Sequence, residues 1–306
     1  MLLQSTLVLP FTALSTPLIS SSPPNTTASQ TIGNYYNYWS VQNTSGSNVY
    51  DLTRSSVLPV TEPRLLENVF TGSRKSAIIE PSRTVLIIID MQNFFLDPQL
   101  SPGASGGRGA VAPTLNMING FRAIGSKILW TNWGLTEQDL VEMPASFKEG
   151  FASDDADVEG STFGSDMGTI TASNGTAVSV GRKLMRGSWN AQPWGDLYPA
   201  MVEGLATGTD LYFNKNRLSG LWGAQTPLGI WLEENQITTL FFGGVNADQC
   251  VWGTFLDAYY KGYDVVYVDD ISQTVSPFSA RQMVRYNANL DGFIGSSTEI
   301  LGALGA

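Results

Sequence analysis

The chain holds one cysteine, Cys250, and no histidine. Cys250 stands where a short apolar run, Thr-Leu-Phe-Phe-Gly-Gly-Val over 239–245, gives way to helical spacing of Val251, Phe255, Ala258 and Tyr259. The run reads as a buried strand and the spacing as a helix that Gly262 stops. A cysteine on the first turn of a helix meets free N–H groups and partial positive charge, which favour a thiolate and can hold an oxyanion. A lone cysteine is also a common small core residue. The absence of histidine excludes Ser-His-Asp and Cys-His chemistry, so a nucleophilic Cys250 needs another proton acceptor. Asp90 is a strand-end carboxylate that, taken alone, reads as a cap on the next segment. It ends the β-branched run Thr-Val-Leu-Ile-Ile-Ile-Asp, a strand buried on both faces. Open α/β sheets bind ligands at the carboxyl ends of such strands.

The elements that must carry these groups alternate. Strands are expected near 83–90, 127–132, 211–214, 239–243 and 264–268, with helices near 111–125, 227–235, 249–260 and 277–288, and a last short strand and helix in 293–304. That order predicts a doubly wound α/β fold, a mostly parallel sheet with helices on both faces. Residues 133–208 are Gly- and Asp-rich and weakly periodic. They read as a long insertion of short helices and loops, a lid or a subunit contact. Residues 1–34 read as a flexible tail, with 1–20 either part of that tail or a degenerate secretory signal. Residues 35–82 are too aromatic for disorder and read as an arm packed on the hydrolase domain, 83–306, or on a neighbouring subunit.

The spacing Cys250-Val251-x-x-Thr254-x-x-Asp257-Ala258-x-x-x-Gly262-Tyr263-x-Val265 resembles the signature of the isochorismatase-like cysteine hydrolases. The run Asp90-Met91-Gln92-Asn93-Phe94-Phe95 resembles the Asp-x-Gln-Asn-Asp-Phe motif of that family, with Phe94 where a second acid commonly stands. Phe213-Asn214-Lys215-x-x-x-Ser219-Gly220 resembles its lysine block. The resemblance covers about 83–304 and implies a three-layer α/β/α fold. It implies Asp90 as general base, Lys215 as the fixed charge that lowers the cysteine pKa, and Cys250 as nucleophile. It also implies an oxyanion hole of the Asn246 and Cys250 N–H groups, behind a cis peptide that maps to Val245–Asn246. Gln92, Phe95, Trp222 and Trp252 are expected to wall the substrate pocket. Lys183 and Arg186 match no spacing of the family.

The departures from the family narrow the chemistry. Nicotinamidases that use zinc carry an Asp-x-His set, so a chain with no histidine is expected to use no metal and no cofactor. Isochorismatases that cleave a vinyl ether typically have glycine where Cys250 stands. Cysteine there favours hydrolysis of an amide or ureide C–N bond in a small molecule. Vinyl ether hydrolysis, or a non-catalytic binding protein on the same fold, are the alternatives. Ala247 stands where many amidases carry threonine, so no single substrate transfers.

Composition excludes other classes. Hydrophobic residues make 42% and charged residues 14% of the 306, enough apolar surface for a large core and against wholesale disorder. A net charge of −10 without a basic run gives no footprint for nucleic acid. No stretch approaches the roughly 20 apolar residues of a membrane span. A cytoplasmic protein is expected, or a secreted one if 1–20 is a signal. Asn25, Asn43 and Asn174 head glycosylation triplets that matter only in the second case. Asp154, Asp155, Asp157 and Glu159 fit no calcium loop and read as a solvated acidic loop. The aromatic arm and the habits of the family imply a homo-oligomer, a dimer or tetramer.

Overall fold

The computed structural model describes residues 29–44, 46–172 and 175–305. The expected signal or tail over 1–20, and the triplets at Asn25 and Asn174, lie outside the described residues.

Among the described residues the strands form two large sheets and one two-stranded pair. The first uses β1 (Gln30–Gly33), β2 (Tyr38–Thr44), β3 (Ser47–Asp51), β4 (Arg64–Leu66) and β5 (Ser76–Ile79) in the order β1-β2-β3-β5-β4. Next come β6 (Thr84–Ile89), α1 (Asn93–Leu96), α2 (Ser105–Gly109), α3 (Val111–Ala123) and β7 (Lys127–Trp133). The insertion holds α4 (Glu137–Val141), α5 (Ala145–Gly150), α6 (Val158–Ser161), the antiparallel pair β8 (Thr169–Thr171) and β9 (Ala177–Ser179), and α7 (Leu197–Thr207). The chain closes with β10 (Asp210–Lys215), α8 (Pro227–Glu234), β11 (Thr239–Val245), α9 (Trp252–Tyr260), β12 (Asp264–Gln273), α10 (Phe278–Asp291), β13 (Phe293–Gly295) and α11 (Ser297–Leu304).

The second sheet runs β10-β7-β6-β11-β12-β13, every pair parallel. Its central strands show why an unbroken apolar run is needed. Along β6, Leu86 and Ile88 enter one core with Met117 and Phe121 of α3 and Ile300 of α11. Val85, Ile87 and Ile89 point the other way, into a second core with Leu228 of α8, Phe255 of α9 and Val284 of α10. Period-two alternation thus feeds helices on both faces. The expected doubly wound α/β architecture is the one observed. The expected strands and helices recur, with β12 extended to Gln273 and the helix at Cys250 opening differently.

The N-terminal arm is a sheet that shares the main core. Leu52, Leu66, Phe70 and Ile79 join Phe293, Ile300 and Leu304 in one apolar cluster. Residues 30–33, read from sequence as part of a flexible tail, form β1 instead, because Gln30–Gly33 pair along β2. A buried clasp ties the arm to the first residue of β12. Arg54 grips Asp264 through both guanidinium nitrogens, at 2.7 and 3.0 Å, and Trp39 Nε1 donates to the same carboxylate at 2.6 Å. Burial pushes the Asp264 carboxyl up, and the Arg54 charge opposes that shift.

The insertion is anchored where β7 ends. The Trp133 ring lies 5.2 Å from Phe151 and 5.1 Å from Phe163, and the latter two stack at 4.3 Å. These aromatic contacts bring 145–167 over the carboxyl edge of the sheet.

Candidate active site

The site forms where β6, β7, β10 and β11 end together. Gly244 sets the spacing. Its φ is +132°, and a Cβ there would lie 2.0 Å from the Ile89 carbonyl oxygen. Only glycine lets the turn after β11 lie this close to the end of β6. Asp90 follows Ile89 with φ 52°, an uncommon conformation for a non-glycine residue. Its N–H donates to Asn132 Oδ1 at 3.0 Å and to the Thr131 carbonyl at 3.3 Å. The main chain therefore holds the carboxylate in place before any charge acts on it.

Three groups act on the carboxylate. Oδ1 accepts the Trp133 N–H at 3.0 Å, and Oδ2 pairs with Lys215 Nζ at 2.8 Å. The Cys250 side chain lies close enough to this carboxylate for each group to shift the proton affinity of the other. Lys215 ends β10. Its ammonium also donates to the Arg217 carbonyl at 3.0 Å and lies 4.0 Å from the centre of the Trp133 ring. Side-chain exposure is 2% for Lys215 and 0% for Asp90, so these charges act in a medium of low dielectric.

Cys250 lies in a π-helical turn, Ala247–Val251, that precedes α9 and follows a cis Val245–Asn246 peptide. The N–H groups on either side of it, of Gln249 and Val251, both donate to the Asn246 carbonyl, at 3.0 and 3.2 Å. Thr254 fixes the turn from behind. Its hydroxyl donates to the Cys250 carbonyl at 2.7 Å and accepts the Gly220 N–H at 3.1 Å.

The thiol differs from the sequence expectation in its electrostatics. Helix position and Lys215 are expected to favour thiolate. Burial pushes the thiol up instead, to about 12, with Lys215 pulling down and Asp90 pushing up. Desolvation outweighs the ammonium because the thiol is buried and a carboxylate shares the same space. Burial also raises the Asp90 carboxyl, opposed by Lys215. The resting thiol is therefore neutral, beside an acid whose raised proton affinity Lys215 opposes.

The four expected pocket residues separate. Phe95 lines a cavity of about 890 Å³, together with Phe94, Phe147 and Phe151, and Asn246 and Gln249 of the cysteine turn also line it. Gln92 is not in that wall. Its amide nitrogen donates to the Trp133 and Ala191 carbonyls, at 2.8 and 2.7 Å, and its oxygen accepts the Trp133 N–H at 3.1 Å. Buried with both ends of its amide used, Gln92 positions the end of β7. Trp252 stacks on Phe255 with ring centres 5.4 Å apart, a core contact. Trp222 is 52% exposed, bonds Asn216 Oδ1 at 3.1 Å and lines a separate cleft beside Lys215.

One residue at the centre reads from sequence only as core. Trp133 is wholly buried, yet its indole N–H has no hydrogen-bond partner among the described residues, and its presence opposes the rise of the Cys250 thiol. Its place on the strand beside β6, at the end that carries Asp90, was a legible signal.

Residues 84–292 match the family model described as the isochorismatase domain. Among solved structures, a cysteine hydrolase from Pseudomonas syringae pv. phaseolicola 1448A superposes with a TM-score of 0.57 at 16% identity, covering 78% of this chain and 97% of that one. An isochorismatase family protein from Desulfovibrio vulgaris subsp. vulgaris str. Hildenborough gives 0.53 at 21%, covering 73% and 99%. Nicotinamidase PncA from Bacillus subtilis gives 0.52 at 19%, covering 70% and 99%. At these identities the likeness is one of fold.

Proposed function

The chain belongs to the isochorismatase family, and we propose that it is a cysteine hydrolase cleaving an amide or ureide-like C–N bond of a small molecule. The observation that carries this reading is one carboxylate, on Asp90, paired with an ammonium 2.8 Å away and near enough to the Cys250 thiol for each to shift the proton affinity of the other. Asp90 acts as base. The thiol proton passes to the carboxylate as the sulfur attacks the substrate carbonyl, so free thiolate need not accumulate. Asn246 and Cys250 N–H groups receive the oxyanion, worth about 10²–10³ in rate for a single donor of this kind. The C–N bond then breaks, and Asp90 returns its proton to the leaving nitrogen. Water attacks the thioester with Asp90 again as base, releasing the acid and restoring the thiol. Lys215 opposes the effect of burial on Asp90 and favours its ionised form. The Trp133 indole N–H adds a donor toward the charge that develops on sulfur.

The test combines trapping and turnover. Wild type, Asp90→Asn and Cys250→Ser are incubated with amides, ureides and isochorismate, and the products and any acyl adduct on Cys250 are read by mass spectrometry. The expected result is release of an amine or ammonia by wild type, with an acyl adduct at Cys250, and neither with the two variants. Turnover of isochorismate alone would favour the vinyl ether reading. No turnover of any of these compounds and no acyl adduct on Cys250 in wild type would favour a binding protein.

A further inference from the structure

The cavity that reaches the cysteine turn carries a cation that the reaction does not use. Lys183, from the insertion, lines the same cavity as Asn246 and Gln249, and it is 4% exposed. Its ammonium donates to the Phe151 carbonyl at 2.9 Å and to the Ser161 carbonyl. Both carbonyl-bearing residues also line the cavity. Among the described residues no carboxylate pairs with Lys183. An ammonium has three N–H donors, so two neutral acceptors leave one donor and the whole charge unmatched.

The backbone around Lys183 is built to hold it there. The Lys183 N–H donates to the Ser165 carbonyl at 2.8 Å, and its own carbonyl accepts the Gly164 N–H at 3.0 Å. Leu184 follows with φ 55°, and its N–H donates to Asn190 Oδ1 at 2.7 Å. The Asn190 amide nitrogen donates in turn to the Val180 and Arg182 carbonyls, at 2.8 and 2.9 Å. A buried asparagine thus locks the turn on both sides of the lysine. Burying an unpaired charge is costly, and burial pulls the Lys183 ammonium below the ordinary lysine range. Asp166 is the other titratable residue in the wall. It is exposed and accepts the Gly168 N–H at 3.0 Å.

We propose that Lys183 determines specificity by receiving a carboxylate at the far end of the substrate from the scissile bond. The substrate class is then an amide or ureide with an aromatic or arylalkyl body and a carboxylate. Phe94, Phe95, Phe147 and Phe151 wall the space between, and about 890 Å³ suits a molecule of that size rather than a one-carbon ureide. On a chain of net charge −10, an anion needs a local cation to be admitted. The inference rests on the hydrolase reading only in taking the cysteine turn as the reacting end.

The experiment is calorimetric and needs no turnover. The intact protein is titrated with 3-phenylpropanoate and with 3-phenylpropanol, which differ in the charged end. Wild type is expected to bind the carboxylate at least about tenfold more tightly, the scale of one charge-assisted hydrogen bond. Lys183→Met is expected to erase that preference and leave the alcohol within about twofold, while Lys183→Arg keeps it. Equal binding of the two ligands by wild type overturns the proposal, and so does binding of neither. Equal weakening of both by Lys183→Met overturns it too, since that marks a structural brace. If Lys183→Met does not fold, the wild-type comparison still decides. Cys250→Ala, expected to bind as wild type does, separates this outcome from the chemistry at sulfur: a failed hydrolase reading leaves the carboxylate preference standing.

Discussion

Replacing Lys215 with methionine removes the ammonium from beside Asp90 and leaves an apolar stem of similar length. The two charged atoms are 2.8 Å apart, with side chains 2% and 0% exposed, so solvent offers no substitute partner. Removing one member of such a pair costs about 3–5 kcal/mol. At about 2–4 °C per kcal/mol, that is a fall of roughly 6–20 °C in melting temperature near pH 8. The loss depends on pH with a definite sign. Burial raises the Asp90 carboxyl in wild type, and Lys215 is the first influence opposing it. Without Lys215 the folded-state pKa moves higher still. A group raised on folding contributes stability that is full below its unfolded value, near 3.8, and is lost as pH rises through its folded value. The variant is therefore expected to melt close to wild type at pH 4 and far below it at pH 8. Its kcat/KM falls at neutral pH because protonated Asp90 cannot take the thiol proton, and the acid limb of the pH profile moves to higher pH. Melting curves from pH 4 to 9, with kcat/KM for an amide that wild type turns over, give both readouts. A melting difference that is flat across this range, or more than a tenth of wild-type activity at pH 7, refutes the reasoning.

Cys250 is expected to react with iodoacetamide slowly at pH 7 and faster with each unit up to pH 10, since its thiol is pushed up to about 12; a rate that has already levelled off by pH 8, followed by mass spectrometry, contradicts this. Trp133→Phe keeps an aromatic ring but removes the buried, unpartnered N–H that favours negative charge on Cys250, and kcat/KM is expected to fall by about 10²-fold with KM little changed, as for loss of one charge-stabilising donor. An unchanged kcat/KM would remove Trp133 from the chemistry. Gly244→Ala must fit a Cβ 2.0 Å from the Ile89 oxygen at φ +132°, so little soluble folded protein is expected on expression, and a yield and melting point equal to wild type would show that the strand ends have room.

Much of the fold was legible because its signals are local. A buried parallel strand needs an unbroken apolar run, and 84–89 and 239–245 supply one each. The cysteine turn was legible as a spacing. Asp90, Lys215 and Cys250 could be named in the same way, through a resemblance carried by short motifs. What escaped depends on contacts between distant segments. Gln92 belongs to a motif that invites a substrate-binding role, yet its amide is consumed by Trp133 and by Ala191, whose position follows from the path of the insertion. Lys183 gave no periodic or motif signal, because its meaning lies in which carbonyls surround it and which carboxylates do not. The thiol was misjudged for a related reason. Helix position was visible, whereas the depth of burial that outweighs it was not.

The clasp between Arg54 and Asp264 bears on how far the chain can be shortened from its N-terminal side. Cutting just ahead of the first residue that matches the family model, Thr84, would delete the guanidinium and indole that neutralise Asp264 and strand a carboxylate at the root of β12. It would also strip Leu52, Leu66 and Phe70 from the sheet face they cover. The catalytic module as recognised from its relatives is thus smaller than the piece of chain that must fold together, and its upstream sheet is a structural prerequisite rather than an appendage.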